Sequence, residues 1–359
     1  QRFFIFVRMA VKRISITEFV SMMEQHPILD VRSPSEYAHA HMKNAYSLPL
    51  FSDEERKVVG TAYKQQGKQP AIKLGLNYFG VKMAAMVSEV EAILAASPDP
   101  NNKLVLVHCW RGGMRSAGVA WLLDLYGYTV YTLAGGYKAY RNWVVAQFTI
   151  PYQCKVLGGF TGSGKTETLH ALQALKEPII DLEGLAHHKG SAFGNLGQPI
   201  QPSQEQFENI LAQLLFKIHT EHAYVWVEDE SRRIGLVNIP APLFEQMRKS
   251  KVYFLDIPFS ERLQFIVSGY GKFEKDKLMT AILRIKKRLG GLETKTAINF
   301  LIEDDVVSSF SVLLTYYDKL YLKGANNREN PELLIQKIEV ADIDPSANAA
   351  TLLACASLQ

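Results

Sequence analysis

The chain has 359 residues, of which 47% are hydrophobic and 21% are charged, and its formal net charge at pH 7 is +4. This length exceeds that of most single domains and allows two hydrophobic cores. The composition is that of a globular protein, and no apolar run approaches the roughly 20 residues of a membrane-spanning helix, so we expect a cytoplasmic protein. The mild positive charge permits an RNA or phosphate-bearing partner without requiring one.

The residues ahead of Met9 form an apolar stretch that is too short for a signal peptide and is not followed by a small-residue cleavage site. We expect translation to start at Met9 and residues 1–15 to be an extension ahead of the first domain. The three cysteines, Cys109, Cys154 and Cys355, are too sparse for a disulfide framework and lack the spacing of a zinc site. They therefore indicate a reducing compartment.

The first half of the chain alternates short apolar strands with helical segments, which predicts a parallel α/β domain. The strands are expected at 27–32, 45–50, 104–108 and 129–133. The helices are expected directly after Ser33, which is placed to cap one, and at 53–67, 81–94 and 116–126.

The second half has the same class of pattern, and we place the boundary between the halves near Ile150. Strands are expected at 154–157, 179–181, 224–227 and 252–256. Helices are expected at 167–175 and 273–289. Residues 346–359 show no clear periodicity, so we expect them to form a frayed tail.

A basic, glycine-rich loop begins at Cys109, directly after the predicted strand 104–108. Ligands of parallel sheets bind at the carboxyl ends of the strands. Gly112 and Gly113 allow successive backbone N–H groups to converge on an anion, and Arg111 and Arg115 add positive charge. These features favour the thiolate, so Cys109 is predicted to be a nucleophile near neutral pH. The histidine before it, His108, is expected to be a packed core residue.

Residues 30–37, His41, the Cys109 loop and residues 135–137 together resemble the rhodanese family, whose members carry sulfur or selenium on the loop cysteine. The resemblance implies a rhodanese-like domain over residues 16–145. Most sulfurtransferases of this family have four residues between the cysteine and the last arginine of the loop, whereas five separate Cys109 from Arg115. The related dual-specificity cell-cycle phosphatases also have five and hold phosphate. A longer loop makes a wider pocket, so we expect a selenium or phosphoryl species there.

Residues 159–166 fit the phosphate-binding motif G-x-x-x-x-G-K-T in full, between a predicted strand and a predicted helix. Lys165 would neutralise a bound phosphate, and Thr166 would bind Mg²⁺ if it is present. The backbone of the loop would cradle the phosphates through the residues with small side chains. These are Gly159, Gly162, Ser163 and Gly164.

Two aspartates, Asp181 and Asp229, each end a predicted apolar strand, where this fold places ligands of phosphate, metal or water. A structural cap is an equally good interpretation of each. Glu228 and Glu230 flank Asp229, and at most two of these three carboxylates can face the phosphates. Residues 181–194 are predicted to form a loop over the site, with its two histidines, at positions 187 and 188, solvated or facing RNA rather than binding a metal.

The motifs taken in order resemble the bacterial tRNA 2-selenouridine synthase family, from about Ile16 to Tyr321. They lie at 59–67, 75, 109–116, 135–139, 159–166, 181–194 and 228–232. The resemblance implies a fused architecture, a rhodanese-like parallel-sheet domain followed by an α/β domain of the P-loop NTPase type over residues 151–345. It also implies that a functional glycine of the family falls on Gly75, for which an ordinary turn glycine is the alternative.

The resemblance further implies a reaction on wobble 2-thiouridine in tRNA. The sulfur is geranylated by geranyl diphosphate, and selenium from selenophosphate then replaces the S-geranyl group. Cys109 would carry or receive the selenium, with Arg111 and Arg115 beside it, and the phosphate loop would hold pyrophosphate without ATP hydrolysis. The expected partners are a thiolated tRNA and an enzyme that supplies selenophosphate. Haem, flavin and zinc are not expected.

Binding of RNA requires cations along one face. Arg232 and Arg233 are predicted to contact RNA phosphates close to the active centre, on what would be the tRNA-facing side of the second domain. Four more cations cluster on the predicted helix 273–289, for which a solvated amphipathic helix is the alternative. They are Arg284, Lys286, Lys287 and Arg288.

Two other functions fit the same loops. A phosphatase-like or sulfurtransferase domain fused to a nucleotide kinase would hydrolyse phosphoesters and turn over ATP, but the cysteine loop has no general-acid aspartate at the matching place. A non-catalytic, ATP-gated sensor would not need the intact cysteine, arginines and lysine.

Overall fold

The computed structural model describes residues 11–97, 99 and 102–357. The chain divides into two compact units, residues 1–146 and 147–359. The predicted translation start at Met9 lies outside the described residues. Within the described ranges, no helix is long and apolar enough to cross a membrane.

The first unit is built from five strands and seven helices within its described residues. The strands are β1 (Lys12–Ile14), β2 (Ile28–Asp30), β3 (Ala45–Ser47), β4 (Leu104–His108) and β5 (Thr129–Leu133). The helices are α1 (Ile16–Met22), α2 (Pro34–His39), α3 (Asp53–Gln65), α4 (Lys68–Gly80), α5 (Met83–Ala95), α6 (Met114–Tyr126) and α7 (Gly136–Gln147).

The strands of the first unit form one sheet in the order β1-β5-β4-β2-β3, and every neighbouring pair is parallel. The central strand β4 is buried on both faces, as its continuous apolar sequence predicts. Leu29, Val105 and Val107 lie in a core that also contains Val90 of α5 and Leu123 of α6. This layering places the carboxyl end of β4, and therefore Cys109, at an edge of the sheet flanked by loops.

The second unit contains a second sheet, a short hairpin and ten described helices. The strands are β6 (Cys154–Gly159), β7 (Ile179–Ile180), β8 (Val225–Glu228), β9 (Arg233–Ile234), β10 (Val237–Asn238), β11 (Val252–Asp256) and β12 (Ile335–Glu339). The helices are α8 (Lys165–Ala174), α9 (Leu182–Ala186), α10 (Gln204–Glu221), α11 (Ala241–Lys249), α12 (Phe259–Tyr270), α13 (Lys275–Leu289), α14 (Gly291–Ile302), α15 (Val306–Asn326), α16 (Pro331–Leu334) and α17 (Pro345–Ser357).

The main sheet of the second unit has the order β12-β11-β6-β8-β7 and is parallel throughout, while β9 and β10 form an antiparallel hairpin. Strand β6 is central, so the loop that follows it opens at the middle of the carboxyl edge, where open α/β sheets bind ligands. The helices α12 to α15 enclose a separate apolar core that includes Ile266, Ile282 and Leu313. The predicted α/β class of both units is confirmed.

Three predictions about the elements are wrong. Residues 346–357 are not a frayed tail, because α17 packs on α8 and buries Ala349 and Leu352 against Leu169. Residues 1–15 are not wholly an extension, because β1 pairs with β5 in the sheet. The helix after Cys109 begins at Met114, two residues earlier than expected. Several helices, α4 among them, were not predicted.

Candidate functional site

Cys109 is held by contacts between its loop and the start of α7. The backbone N–H of Tyr137 donates to the Cys109 carbonyl (2.8 Å), which ties the loop to the first turn of that helix. Gly112 and Gly136 both have positive φ, and a Cβ on Gly136 would collide with the Cys109 carbonyl oxygen and the Gly112 nitrogen. Only glycine permits such an approach of two backbones. The turn therefore depends on a glycine from each side.

The Cys109 side chain is buried, yet its surroundings favour the thiolate. Its Sγ accepts from the Gly113 N–H (3.4 Å) and lies 3.2 Å from the Ser116 hydroxyl. Burial raises the pKa of the thiol, but the bond to Ser116, the Gly113 amide and the charge of Arg115 together outweigh it, so the pKa is lowered. A lowered pKa with converging donors is typical of reactive cysteines, and the nucleophilic role of Cys109 stays a prediction.

Replacing Ser116 by alanine is expected to raise the pKa of Cys109, because a methyl group cannot donate the hydrogen bond that the serine hydroxyl offers to the thiolate. The titration is measured by ultraviolet thiolate absorbance in a Cys154→Ser, Cys355→Ser background. The matched control Ser21→Ala changes an exposed serine of α1 and should leave the titration midpoint unaltered. An unchanged midpoint in the Ser116 variant would assign the stabilisation to the loop amides and Arg115 instead.

The two arginines of the loop differ in their surroundings. Arg115 donates to Glu36 (2.8 Å), a residue of α2, and Glu36 is paired in turn with Arg56 (3.0 Å). Burial raises the pKa of Glu36, but the bond to Arg115 and the neighbouring charges lower it overall, so the carboxylate stays ionised and fixes the guanidinium. Arg111 is exposed at the rim of the loop. Glu36 belongs to the predicted motif, but its role as the partner of Arg115 was not predicted.

His108 and Gly75 are both buried in the first unit. Neither ring nitrogen of His108 has a hydrogen-bond partner among the described residues, and burial lowers the pKa of the ring, as expected for a packed core histidine. Gly75 lies inside α4 rather than in a turn, so the turn-glycine alternative is wrong. A Cβ there would come within 3.2 Å of the Phe51 ring, so the glycine permits close packing of that ring on the helix.

The phosphate loop of the second unit joins β6 to α8, and its lysine lies against the loop itself. Lys165 Nζ donates to the carbonyl of Gly159 (3.1 Å) and lies 3.5 Å from that of Phe160. Its charge is therefore close to the backbone N–H groups that would cradle a phosphate. Gly162 has a φ of 80°, and a Cβ there would lie 2.7 Å from Ile266 of α12.

A group of carboxylates lies beside Thr166, the last residue of the loop. The Thr166 hydroxyl is 2.7 Å from Glu228 and 3.2 Å from Glu183. Burial raises the pKa of both glutamates, and the repulsion between neighbouring carboxylates, Glu230 included, raises it further. A proton held in this group allows the hydroxyl and carboxyl oxygens to bond without three adjacent negative charges. The proximity of Glu183 to Thr166 was missed because the two lie 17 positions apart in the sequence.

The two predicted aspartates have structural partners. Asp181 caps α9 by accepting from the Gly184 N–H (2.6 Å) and pairs with His170 (2.8 Å). Asp229 is ion-paired with Arg328 and accepts from the Tyr321 hydroxyl (2.7 Å). The capping interpretation therefore describes Asp181, and Glu228 is the strand-end carboxylate that meets Thr166.

A cleft of about 1250 Å³ opens over the phosphate loop. Its lining includes five cations, which are Lys165, Lys189, Arg232, Arg248 and Lys272. It also includes large apolar side chains, which are Phe265, Ile266, Tyr270, Phe273 and Leu320. The predicted loop 181–194 contributes Lys189 to the rim, but it begins with the helix α9. His188 was expected to be solvated and is instead buried.

Comparison with known proteins identifies the family. Residues 152–342 match the family model described as the tRNA 2-selenouridine synthase AAA domain, and residues 15–142 match the rhodanese-like domain. The chain belongs to the tRNA 2-selenouridine synthase family. Both the predicted family and the predicted pairing of a rhodanese-like domain with a P-loop domain are confirmed.

Relatives named tRNA 2-selenouridine synthase match most of the chain. One from Hydrogenovibrio crunogenus is 36% identical over 75% of this chain and 78% of that protein. Another from Bdellovibrio bacteriovorus is 33% identical over 89% of this chain and 94% of that protein. A third from Shewanella frigidimarina is 36% identical over 86% of this chain and 91% of that protein.

In this member of the family, Arg262 fixes the phosphate loop from the side of α12. It donates to the Thr161 carbonyl (3.1 Å) and makes a two-point ion pair with Asp318 of α15 (2.8 Å each). Its guanidinium also lies over the ring of Phe160 (4.8 Å to the centroid). On the other side, the Tyr321 hydroxyl accepts from the Gly159 N–H (3.4 Å). No local pattern in the sequence indicates these contacts, because Arg262 lies 56 positions from Asp318 and 101 positions from Thr161.

The predicted RNA-binding cations are exposed. The helix predicted at 273–289 is confirmed as α13, with Leu278, Ile282 and Leu289 buried. The cations of its outer face are Arg284, Lys286, Lys287 and Arg288. Arg232 lines the cleft, whereas Arg233 lies in the hairpin strand β9 and donates to the Gly235 carbonyl (2.9 Å). Arg232 is thus part of the cleft lining, whereas the four cations of α13 are not.

Proposed function

We propose that this chain makes 2-selenouridine in tRNA in two steps, with geranylation in the second unit and selenium transfer in the first. The observation that supports the geranylation step is the cleft, whose lining combines a phosphate cradle with large apolar side chains. A nucleoside triphosphate would use the cradle, but its ribose is polar and only its base would pack on apolar side chains. An allylic diphosphate has a charged end that would bind the cradle and a hydrocarbon end that would pack on the apolar side chains.

In the first step, the sulfur of 2-thiouridine attacks C1 of geranyl diphosphate. The C–S bond forms as the C–O bond breaks, the electron pair leaves with pyrophosphate, and the base loses its N3 proton. Lys165 and the loop N–H groups stabilise the negative charge that develops on the leaving group. Thr166 and Glu228, whose side-chain oxygens lie 2.7 Å apart, would hold a Mg²⁺ ion together with phosphate oxygens and water. Such an ion would supply further neutralisation of the pyrophosphate.

In the second step, selenophosphate, water and the S-geranyl base give 2-selenouridine, geranyl thiol and phosphate. We assign to the Cys109 thiolate the attack on phosphorus, in which an S–P bond forms as the P–Se bond breaks and selenide leaves. Water then cleaves the S–P bond and releases phosphate, while the selenide forms a C–Se bond to the base as the C–S bond breaks and the geranyl group leaves as its thiol. Cys109 suits this role because its thiolate is stabilised inside an anion-binding loop that Arg115 borders. An enzyme that supplies selenophosphate is the implied partner.

The test is incubation of the purified chain with thiolated tRNA and geranyl diphosphate, followed by mass spectrometry of the digested nucleosides. We expect S-geranyl-2-thiouridine, and its conversion to 2-selenouridine once selenophosphate is added. The nucleotide-kinase alternative instead requires ATP turnover in the same assay. Selenation that proceeds equally well without geranyl diphosphate would contradict the two-step scheme.

Replacing Arg284, Lys286, Lys287 and Arg288 together by glutamine is expected to weaken tRNA binding and flatten its salt dependence. Each lost phosphate contact should reduce the slope of log affinity against log salt by about 0.7–0.9. The slope is measured by filter binding over a salt series. A matched variant removes the same charge from the exposed lysines of α3 and α4, Lys57, Lys64, Lys68 and Lys73. Equal slopes in the two variants would show that α13 is merely solvated.

A further inference from the structure

We propose that Leu236, at the tip of the hairpin β9–β10, inserts into the anticodon loop of the tRNA beside the target base and fills the space that this base leaves in the stack. The base would then be free to enter the cleft over the phosphate loop. This inference rests on the proposed function in placing the reacting base in that cleft. It depends on how the tip is held, what surrounds it and how far it lies from the cleft.

The tip of the hairpin is fastened to the segment that follows α9. The Leu236 N–H donates to Gln201 Oε1 (2.9 Å), and Gln201 Nε2 donates to the Ile234 carbonyl (3.2 Å). Gln204 makes a second reciprocal pair, with the N–H and the carbonyl of Asn238 (2.7 and 2.8 Å). A tip that is bonded through both strands can keep its shape when it presses against a partner.

Leu236 is exposed although its neighbours on the hairpin are buried. Ile234 and Val237 are fully buried, whereas 73% of Leu236 is exposed. Ile200, which directly precedes the anchoring residue Gln201, is 93% exposed. A single exposed leucine is common on protein surfaces, so the kind of partner that it contacts has to be inferred from its surroundings.

The surroundings of the tip are positively charged. The two segments that meet there, residues 187–202 and 231–240, contain Lys189, Arg232 and Arg233 and no acidic residue. All three cations are exposed. An apolar tip among cations is complementary to RNA, whose phosphates bind cations and whose unstacked bases offer apolar faces.

The tip lies within reach of the nucleotides next to the target base. Lys189 and Arg232 line the cleft, and Leu236 follows Arg232 by four residues of hairpin. At about 3.3 Å per residue of a strand, the Cα atoms of Arg232 and Leu236 are at most about 13 Å apart. Successive nucleotides of a stacked strand are about 3.4 Å apart, so this distance covers the target nucleotide and its nearest neighbours.

An apolar side chain at this position has a chemical purpose. A base that reacts inside a cleft has to leave its stack, which costs free energy. Proteins that separate neighbouring bases insert leucine, isoleucine or similar side chains between them. Leu236 would replace part of the lost stacking contact, while Arg232 and Arg233 hold the phosphates on either side.

The experiment uses an anticodon stem-loop RNA that carries wobble 2-thiouridine and, on one side of it or the other, the fluorescent base 2-aminopurine. Stacking on a neighbouring base quenches this fluorescence, so we expect a rise when the full chain binds. Leu236→Ser should lose most of the rise. It should also bind the RNA about tenfold more weakly, because a leucine side chain is no longer buried against a base. The salt dependence of binding should stay unchanged, since no phosphate contact is lost.

Two further variants serve as controls. Leu236→Met keeps an apolar tip and should retain both the rise and the affinity. Leu333→Ser changes a leucine of α16 that is 76% exposed and should behave as the parent chain does. If Leu236→Ser keeps the full fluorescence rise, Leu236 does not separate the bases and the inference is overturned.

This test is independent of the proposed chemistry, because it needs neither geranyl diphosphate nor selenophosphate. A parent chain that unstacks the neighbouring base but forms no S-geranyl-2-thiouridine would contradict the proposed function and leave the role of Leu236 standing. A parent chain that binds the RNA without any rise would overturn the role of Leu236 alone. If Leu236→Ser instead weakens binding of the enzyme that supplies selenophosphate and leaves the RNA signal unaltered, the tip contacts a protein and the inference is wrong.

Discussion

Replacing Cys109 by serine is expected to lower selenium transfer by about a thousandfold or more, the scale on which loss of a nucleophile usually acts. A serine hydroxyl does not ionise near neutral pH, so the thiolate that attacks selenophosphate would be lost. Because geranylation is assigned to the other unit, the variant should still carry out the first step. Thiolated tRNA should therefore accumulate S-geranyl-2-thiouridine.

The measurement is mass spectrometry of nucleosides from tRNA incubated with the variant, geranyl diphosphate and selenophosphate. Cys355→Ser is the matched control, because this cysteine is partly exposed on α17 and lies outside both loops. If the Cys109 variant leaves only unmodified 2-thiouridine, the cysteine loop takes part in both steps and the proposed division is wrong.

Replacing Lys165 by alanine is expected to lower geranylation by roughly 10²–10³-fold, the usual effect of removing one donor to a developing negative charge. Its ammonium group already lies against the loop carbonyls of Gly159 and Phe160, so little reordering is needed when a diphosphate binds. The same variant should still produce 2-selenouridine when it is given tRNA that has been geranylated beforehand.

Rates of each half-reaction, measured separately by nucleoside mass spectrometry, check this expectation. Lys319→Ala removes an exposed lysine from α15 and provides a control with the same loss of charge. Unchanged geranylation in the Lys165 variant would move the diphosphate site away from the phosphate loop. Loss of selenation on pre-geranylated tRNA would couple the two units more tightly than we propose.

The two loops could be predicted from the sequence because each is contiguous. The Cys109 loop and residues 159–166 carry their chemistry within eight positions, and the strand and helix that flank each loop are recognisable from local patterns. Local signals of this kind also located α13 and most strands of both sheets. The fold and the phosphate cradle therefore needed no tertiary information.

The rest of the site depends on tertiary contacts. Glu183 approaches Thr166, and Arg262 approaches Thr161, only after the sheet and its helices have packed. Glu228 and Asp229 show where local reasoning fails, because Glu228 ends β8 and meets Thr166, whereas Asp229 follows the strand and pairs with Arg328. The sequence indicated that at most two of the three carboxylates at 228–230 can face the phosphates, but not which of them does.

The helices α17 and α4 were not predicted for a different reason. Segment 345–357 is rich in alanine and small polar residues, so its amphipathic period is weak even though Leu352 is fully buried. Residues 68–80 include Pro70 and Gly75, both of which argue against a helix on propensity alone. Pro70 lies within the first turn, where proline is tolerated, and packing of Phe51 accounts for the glycine.

The contact between Ile343 and the phosphate loop affects the order in which the second unit can fold during its synthesis. A Cβ on Gly164 of the phosphate loop would lie 2.5 Å from Cγ2 of Ile343, and α17 beyond it covers α8. Ribosomes add about 5–20 residues per second, so the cradle emerges roughly 10 seconds or more before the segment that packs on it. During that interval Leu169 and Leu172 of α8 are not yet packed against Ala349 and Leu352 of α17. The packing around the phosphate loop is therefore complete only after these late-synthesised residues have emerged.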